Sequence, residues 1–460
     1  MMFLLITKDL RRCKARKMGR KRQEFARVYI LARLMSIQSP KGTFDILPYG
    51  ASEPWRLSAA WQGIEALVRA TAALYGYQEI RTPLFERREL FDRGIGETSD
   101  IVSKEMFTFQ DKGGRDLCLR PEGTASVMRA FIESHLDQIH SVHKFFYIGP
   151  MFRYERPQSG RYRQHHQFGV EVIGVAGYEQ DAEVIDLLLE IYRRLGLKNL
   201  KVLVNTVGDL PTRLAYRQAL QDYLRPHFSS LSEDSRERFE KNPLRILDSK
   251  DPTDKELIVH APSILEYLSQ EAKEHFEGVC RLLGELGICY EINDRVVRGL
   301  DYYQKTVFEV VTEGLGSQNT VGAGGRFDGL LSTFHGPNLP GIGFGTGLER
   351  VMQTMLAQQI ALPKNRPTQV VFIPLEGRAR ALHLATECRR HEISAEVDLQ
   401  SKKLGHALQA AAKMGARFAA ILGEEEMKTG TVQLKNLETR EASLVPFHEL
   451  VPLLRRLCFG

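Results

Sequence analysis

The 460-residue sequence lacks a C-x-x-C pair. Its six cysteines, at positions 13, 118, 280, 289, 388 and 458, are scattered. That argues against a zinc site or a disulfide framework and fits a reducing cytoplasm. No apolar run approaches the ~20 residues that span a bilayer, so no membrane partner is expected. Met2 to Ile6 is too short even for the apolar part of a secretory signal. There is no internal repeat and no low-complexity tract. A pervasive positive charge is also missing. The formal net charge is +6, but residues 1–34 carry eleven Lys/Arg against Asp9 and Glu24, leaving 52 basic and 55 acidic groups in the rest. Nucleic-acid contact must therefore come from local patches.

The basic leader, 1–34, has three readings: an RNA-binding arm, an organelle-targeting peptide, or a stretch not translated when synthesis starts at Met35. From Glu53 to Tyr75 apolar residues recur at three- and four-residue steps. This predicts an amphipathic helix with Ser52 as its cap, Pro54 in its first turn and Gly76 at its end. Residues 79–85 read as extended, and 143–155 and 167–174 as two strands flanking an arginine-rich turn. Residues 209–290 are charged and mostly helical, an inserted domain, since strand-type sequence resumes at 306–312 and 319–323. Residues 363–367 form a linker. Beyond it, short apolar strands at 369–373, 395–399 and 418–422 alternate with helical patterns at 377–391 and 401–415, which predicts a small α/β domain over 368–460.

The densest chemistry lies between Arg153 and Gly174. Arg153, Arg156, Arg161 and Arg163 surround a turn, and a strand then places Gln167, Gly169 and Glu171 on one face. Arg153 and Glu155 share a face of the preceding strand. A solvated polar face is the ordinary fate of such residues, and other segments weigh against it. Arg120-Pro121-Glu122-Gly123-Thr124 sets a carboxylate and a hydroxyl at a helix start. There Thr124 could cap the helix, or Glu122 could accept from a substrate ammonium while Gly123 permits close approach. Arg298-Gly299-Leu300-Asp301-Tyr302-Tyr303 sets an arginine fork ahead of two tyrosines. Gly322–Gly329 and Gly341–Arg350 are glycine-rich, but neither is a phosphate-binding P-loop nor a dinucleotide G-x-G-x-x-G. Their glycines are expected to let backbone approach a nucleotide.

Taken together these residues resemble the histidyl-tRNA synthetases, class II aminoacyl-tRNA synthetases, of the bacterial type. The resemblance runs from Lys41-Gly42-Thr43-Phe44-Asp45 nearly to the C-terminus. Residues 79–86, 152–171 and 343–350 resemble the three class II motifs. Residues 298–303 and 324–329 resemble the two histidyl signatures, and Asn242–Lys250 resembles a stretch of the family's insertion.

The resemblance implies an α+β protein. A class II antiparallel-sheet catalytic domain (35–208 and 291–362) would carry a helical insertion (209–290), followed by a C-terminal α/β anticodon-binding domain (368–460). It implies a cytoplasmic homodimer that uses ATP with Mg²⁺ to convert L-histidine to histidyl-adenylate. Histidine would then pass to the 3′ end of tRNA(His), releasing AMP and pyrophosphate. No metal ligand is assigned. Residue by residue, it implies that Glu122, Thr124 and Gln167 hold the α-amino group, with Gly123 and Tyr302 beside them. Glu171 and Tyr303 would address the two imidazole nitrogens. Arg153 would bind the α-phosphate, Arg350 the ATP from the other side, Arg298 would be the catalytic arginine, and Arg161 would touch ATP or the tRNA end. Four positions depart from the family pattern: Phe327 replaces a common tyrosine, Gly345-Thr346 replaces a usual Ala-Ile, and His165 stands where an aromatic is common. The rival readings are a non-catalytic regulatory paralogue and a pure tRNA-binding module. Histidine-dependent ATP–pyrophosphate exchange followed by tRNA charging separates them.

Overall fold

The computed structural model describes residues 37–96, 99–155, 160–249, 251–297, 299–312, 319–364, 368–400 and 403–459. The leader, Arg156, Arg298 and most of the 363–367 linker lie outside the described residues. The chain forms two compact units, Met1–Pro363 and Lys364–Gly460. Among the described residues no helix is long and apolar enough to cross a membrane.

The first unit contains strands β1 (Gln78–Glu79), β2 (Phe85–Arg87), β3 (Thr108–Gln110), β4 (Asp116–Leu119), β5 (His143–Phe152), β6 (Gln164–Ile173), β7 (Leu200–Thr206), β8 (Tyr290–Ile292), β9 (Gln304–Thr312), β10 (Thr320–Arg326) and β11 (Gly341–Gly347). Eight of them form one sheet in the order β1-β5-β6-β11-β10-β9-β7-β8. The six central strands are antiparallel, and only the two edge pairs, β1 with β5 and β7 with β8, are parallel. Strands β2, β4 and β3 make a separate small sheet. Alternation decides which face is buried. Phe168, Val170 and Val172 of β6 pack with Val202, Val204, Phe308, Val310 and Ile342 beneath the Ser58–Leu74, Tyr178–Arg194 and Leu348–Ala357 helices. The opposite face packs Tyr147, Met151, Ile173 and Phe327 against the Thr124–Glu133 helix at one end and lines a polar cavity over its middle.

Two local expectations shift. The first helix begins at Ser58, not Glu53. Pro54–Arg56 form a 3-10 turn that buries Trp55, and Leu57 is extended, paired in a short bridge with Leu47. β5 stops at Phe152, so Arg153 and Glu155 lie beyond the strand.

The segment between β7 and β8 builds its own core from Tyr216, Leu220, Leu224, Phe239, Ile246 and Ile258. Its last helix, Gln270–Glu285, instead packs Phe276, Val279 and Leu283 into the main core.

The second unit has strands β12 (Val370–Pro374), β13 (Ala395–Val397), β14 (Phe418–Leu422), β15 (Thr431–Asn436) and β16 (Ala442–Pro446), ordered β13-β12-β14-β15-β16. The first three are parallel, and β15 and β16 add antiparallel. Val370 and Phe372 face the Arg378–Arg390 and Phe447–Phe459 helices, while Val371 and Ile373 pack with Ala407 and Ala411. Burial on both faces explains why the parallel strands read as continuous apolar runs.

Candidate active site

β6 forms the centre of the site. Its odd-numbered residues His165, Gln167, Gly169 and Glu171 face away from the core side chains of the same strand, as a period of two requires. Across the β6–β11 pairing, Gly343 lies opposite Glu171, Gly345 opposite Gly169 and Gly347 opposite Gln167. These glycines make a floor without side chains. A Cβ at Gly343 would overlap the Glu171 carboxylate and the Val170 carbonyl, and one at Gly345 would overlap the Gln167 amide. On the other side Tyr147 lies opposite Gly169, and its ring fills the space that Cβ atoms at Gly123 and Gly169 would take.

Glu122, Gly123 and Thr124 open the Thr124–Glu133 helix. The Glu122 carboxylate accepts the Thr124 and Ala125 amides, both at 2.8 Å, and so caps the helix. Thr124 is thereby released from capping. Its Oγ1 donates to Glu171 Oε1 at 2.7 Å, and the Tyr147 hydroxyl reaches the same oxygen at 3.4 Å. Glu171 Oε2 is buried with no hydrogen-bond partner among the described residues. Tyr302 and Tyr303 lean on each other, ring centroids 4.8 Å apart, and Tyr302 meets the Phe327 ring edge-on at 6.0 Å. With Arg153 and His165 these residues enclose a cavity of about 190 Å³.

Arg153 and His165 also line a second cavity, of about 230 Å³, with Glu155, Arg161, Glu349 and Arg350. The arginines of the turn part company here. Arg153 Nε donates to the Pro121 carbonyl at 2.9 Å, which orients its fork. Arg161 pairs with Glu155 at 2.9 Å. Arg163 lies 3.9 Å over the Tyr154 ring and lines neither cavity. Glu349 is spoken for, accepting from the His166 amide at 2.8 Å and meeting its Nδ1 at 2.9 Å.

Burial dominates the electrostatics. It pushes the Glu171 carboxyl well above the usual carboxylate range, and the nearby Glu122 charge adds to the rise against the Thr124 hydrogen bond. It raises Glu122 too, against the two helix amides. Burial, with the charge of Arg153, lowers His165 to about 3, so its imidazole is neutral. Burial and the charge of Arg161 lower Arg350.

The site thus brings together Glu122, Thr124, Arg153, Gln167, Glu171, Tyr302 and Tyr303 around one cavity, and Arg161 and Arg350 around the next, while Gly123 lies against the Tyr147 ring and not at the cavity wall. Arg298 lies outside the described residues, next to Gly299. Tyr147 is an addition that the sequence did not disclose. Of the glycine-rich stretches, Gly322, Gly345 and Gly347 border the arginine-lined cavity. Gly324 and Gly325 are packed instead against the Gly343 carbonyl and the Tyr303 ring, and Arg326 is wholly buried. An acceptor pair and an amide at one end, and guanidinium groups at the other, suit a small ligand with several N–H donors joined to a phosphate.

A family model described as histidyl-tRNA synthetase matches residues 56–351, which include every site residue above. The chain belongs to the histidyl-tRNA synthetase family. A model described as an anticodon binding domain matches residues 369–457, inside the second unit. A histidine–tRNA ligase from Protochlamydia amoebophila (strain UWE25) is 52% identical over 423 residues, covering 92% of this chain and 100% of that protein. The histidine–tRNA ligase of Anoxybacillus flavithermus is 46% identical over 429 residues, covering 92% and 100%. Among solved structures, apo S. aureus histidyl-tRNA synthetase aligns with a TM-score of 0.77 at 34% identity, covering 91% of this chain and 100% of that one. The family likeness therefore extends through both units.

Proposed function

We propose that this chain is a histidine–tRNA ligase. It activates L-histidine with ATP to histidyl-adenylate and pyrophosphate, then passes histidine to the 3′ end of tRNA(His) and releases AMP. The observation that carries the reading is the unsatisfied buried carboxylate of Glu171 on a glycine floor, beside a cavity that Arg153 shares with Arg161 and Arg350.

The two ends of the pocket take different parts of histidine. Glu122, Thr124 and Gln167 receive the α-ammonium, with Gly123 making room for the Tyr147 ring behind them and Tyr302 closing the wall. Glu171 and Tyr303 receive the imidazole nitrogens. A site that pairs both nitrogens rejects look-alikes by roughly 10⁴–10⁵, because a wrong ligand leaves buried polar groups bare. The histidine carboxylate then points toward Arg153. Its oxygen attacks the α-phosphorus, the P–O bond to pyrophosphate breaks, and negative charge grows on the transferring group. Arg153, Arg298 and Arg350 stabilise that charge, and Arg161 borders the same path. The chemistry needs positioning and fixed positive charge, not a covalent enzyme intermediate. In the second step a ribose hydroxyl attacks the acyl carbon and AMP leaves.

Mg²⁺, which typically binds nucleotides through phosphates and one or two carboxylates, would enter with the triphosphate. Glu155 borders both the second cavity and the adjoining cleft and would hold it. When bound, the ion offsets charge on the departing phosphates. The domain plan is a catalytic domain (35–208, 291–362), an inserted helical domain (209–290), a linker (363–367) and an anticodon-binding domain (368–460), working as a cytoplasmic homodimer. The decisive measurement is histidine-dependent ATP–pyrophosphate exchange. Arg298→Ala is expected to nearly abolish it with an unchanged melting temperature, and near-normal exchange in that variant would remove Arg298 from the chemistry.

A further inference from the structure

Arg245 belongs to the inserted segment, yet its side chain is only 12% exposed and lines the cleft of about 640 Å³ that Arg153, Glu155 and Arg161 border from the catalytic side. Its polar contact with Asp100 is long: Nη2 lies 3.4 Å from Asp100 Oδ2, an oxygen that Arg238 holds more closely, at 3.1 Å. Nε and Nη1 are buried and meet no acceptor among the described residues. A guanidinium stripped of water without acceptors is a costly arrangement, and it is relieved by an oxyanion with two oxygens to offer. The surroundings set this guanidinium against the loop that carries Gly299, in a cleft that carboxylates, Asp100, Asp248 and Asp251 among them, also line. Gly299, which adjoins Arg298, is so close that a Cβ there would stand 3.4 Å from Arg245 Nη1. Two residues on, Asp301 accepts from the Asn242 amide at 2.9 Å, so the same short insertion stretch grips the loop that carries Arg298 and the paired tyrosines.

We propose that Arg245 is a phosphoryl-binding residue of the synthetic site: its Nε and Nη1 donate to non-bridging phosphate oxygens that enter the cleft beyond Arg153. The favoured source is the pyrophosphate end of ATP, because the cleft continues from Arg153. A phosphate near the 3′ end of the tRNA offers the same chemistry. Binding there ties the inserted segment to the nucleotide, so the insertion takes part in adenylation as well as standing beside it.

The inference rests on the ATP placement proposed above, and the two can fail separately. Arg245→Gln and Arg245→Lys are compared with Arg238→Gln, which removes the same charge from Asp100 but no orphaned donor. ATP–pyrophosphate exchange gives KM for ATP, pyrophosphate and histidine, and single-turnover transfer from preformed histidyl-adenylate reports the tRNA step. Arg245→Gln is expected to raise KM for ATP and pyrophosphate by about tenfold or more, the loss of a charge-assisted contact. KM for histidine and the transfer rate should stay near wild type, Arg245→Lys should recover part of the loss, and Arg238→Gln should move neither constant. Slowed transfer with normal exchange constants would assign the phosphate to the tRNA. Unchanged constants throughout, or a fall in kcat and melting temperature with every KM intact, would overturn the assignment. If Arg153→Ala left KM for ATP unchanged, the ATP placement itself would fall.

Discussion

Burial leaves the Glu171 carboxyl with one oxygen bonded to the Thr124 hydroxyl and the other without a partner among the described residues, in a position 1% exposed. Its pKa is raised on folding, so its contribution to stability is full below the unfolded value, about 4.3, and is lost as pH rises toward the folded value. Near neutral pH keeping this carboxyl buried works against the fold, and an N–H donor bound at Oε2 would offset that. Glu171→Gln is therefore expected to melt higher than the parent at pH 7, by about 2–4 °C per kcal/mol for a domain of this size. The gain should shrink as pH falls through 4, while histidine-dependent exchange drops by about 100-fold or more. A melting curve at pH 7 below that of the parent would remove the charge penalty from the account. Gln167 and Glu171 were legible because β6 alternates strictly. Tyr147 was not, because β5 reads His-Lys-Phe-Phe-Tyr-Ile-Gly-Pro-Met-Phe, apolar on both faces, and alternation cannot say which aromatic enters the site. The exchange of roles between Glu122 and Thr124 was equally hidden, since either type caps a helix from that position.

At the scale of elements, the Gly-Gly-Arg stretch of β10 acts as a fastener. Arg326 pairs with buried Asp181, donates to the Val175 carbonyl at 2.9 Å and the Gly177 carbonyl at 3.1 Å, and so ties β10 to the start of the Tyr178–Arg194 helix. His275 Nε2, from the Gln270–Glu285 helix, meets Asp181 Oδ2 at 2.8 Å. Three elements close on one carboxylate. Its hydrogen bonds from His275 and the charge of Arg326 hold the Asp181 carboxyl below its ordinary range despite burial. A depressed carboxylate stabilises the fold above its unfolded pKa and loses that contribution as pH falls through the folded one. Asp181→Asn, which strands the Arg326 charge, is expected to cost about 3–5 kcal/mol near neutral pH, read by denaturant melts, with the difference narrowing below the unfolded pKa. A cost under about 1 kcal/mol, the range of an exposed pair, would show that the trio is not holding the helices. Sequence identified the glycines and the arginine as a signature, but their burial depends on Asp181, about 145 residues away in the chain, and no local pattern announces it.

For the whole molecule, the two units have separate cores and separate sheets. A chain ending at Pro363 is expected to keep histidine-dependent exchange, while charging at limiting tRNA falls by about 10²–10⁴, the loss of a tethered second binding surface. Loss of exchange in the truncated chain would show that the second unit is needed for adenylation. The antiparallel class of the main sheet followed from the resemblance rather than from periodicity, since a strand pattern does not name its neighbours. In the second unit the parallel strands were legible as apolar runs. The β15–β16 hairpin was missed, because β16 exposes most of its residues and gives little apolar signal.

The order of the main sheet also sets a timetable for synthesis. β6 pairs with β5 at once, but its other neighbour is β11, where Gly343 must meet Glu171. Roughly 170 residues intervene, which at about 5–20 residues per second is about 8–35 s of translation. Through that interval the strand that carries Gln167 and Glu171 leaves the ribosome as an open edge, with Phe168, Val170 and Val172 on its other face. The pocket proposed to take histidine is thus among the last parts of the main sheet to close.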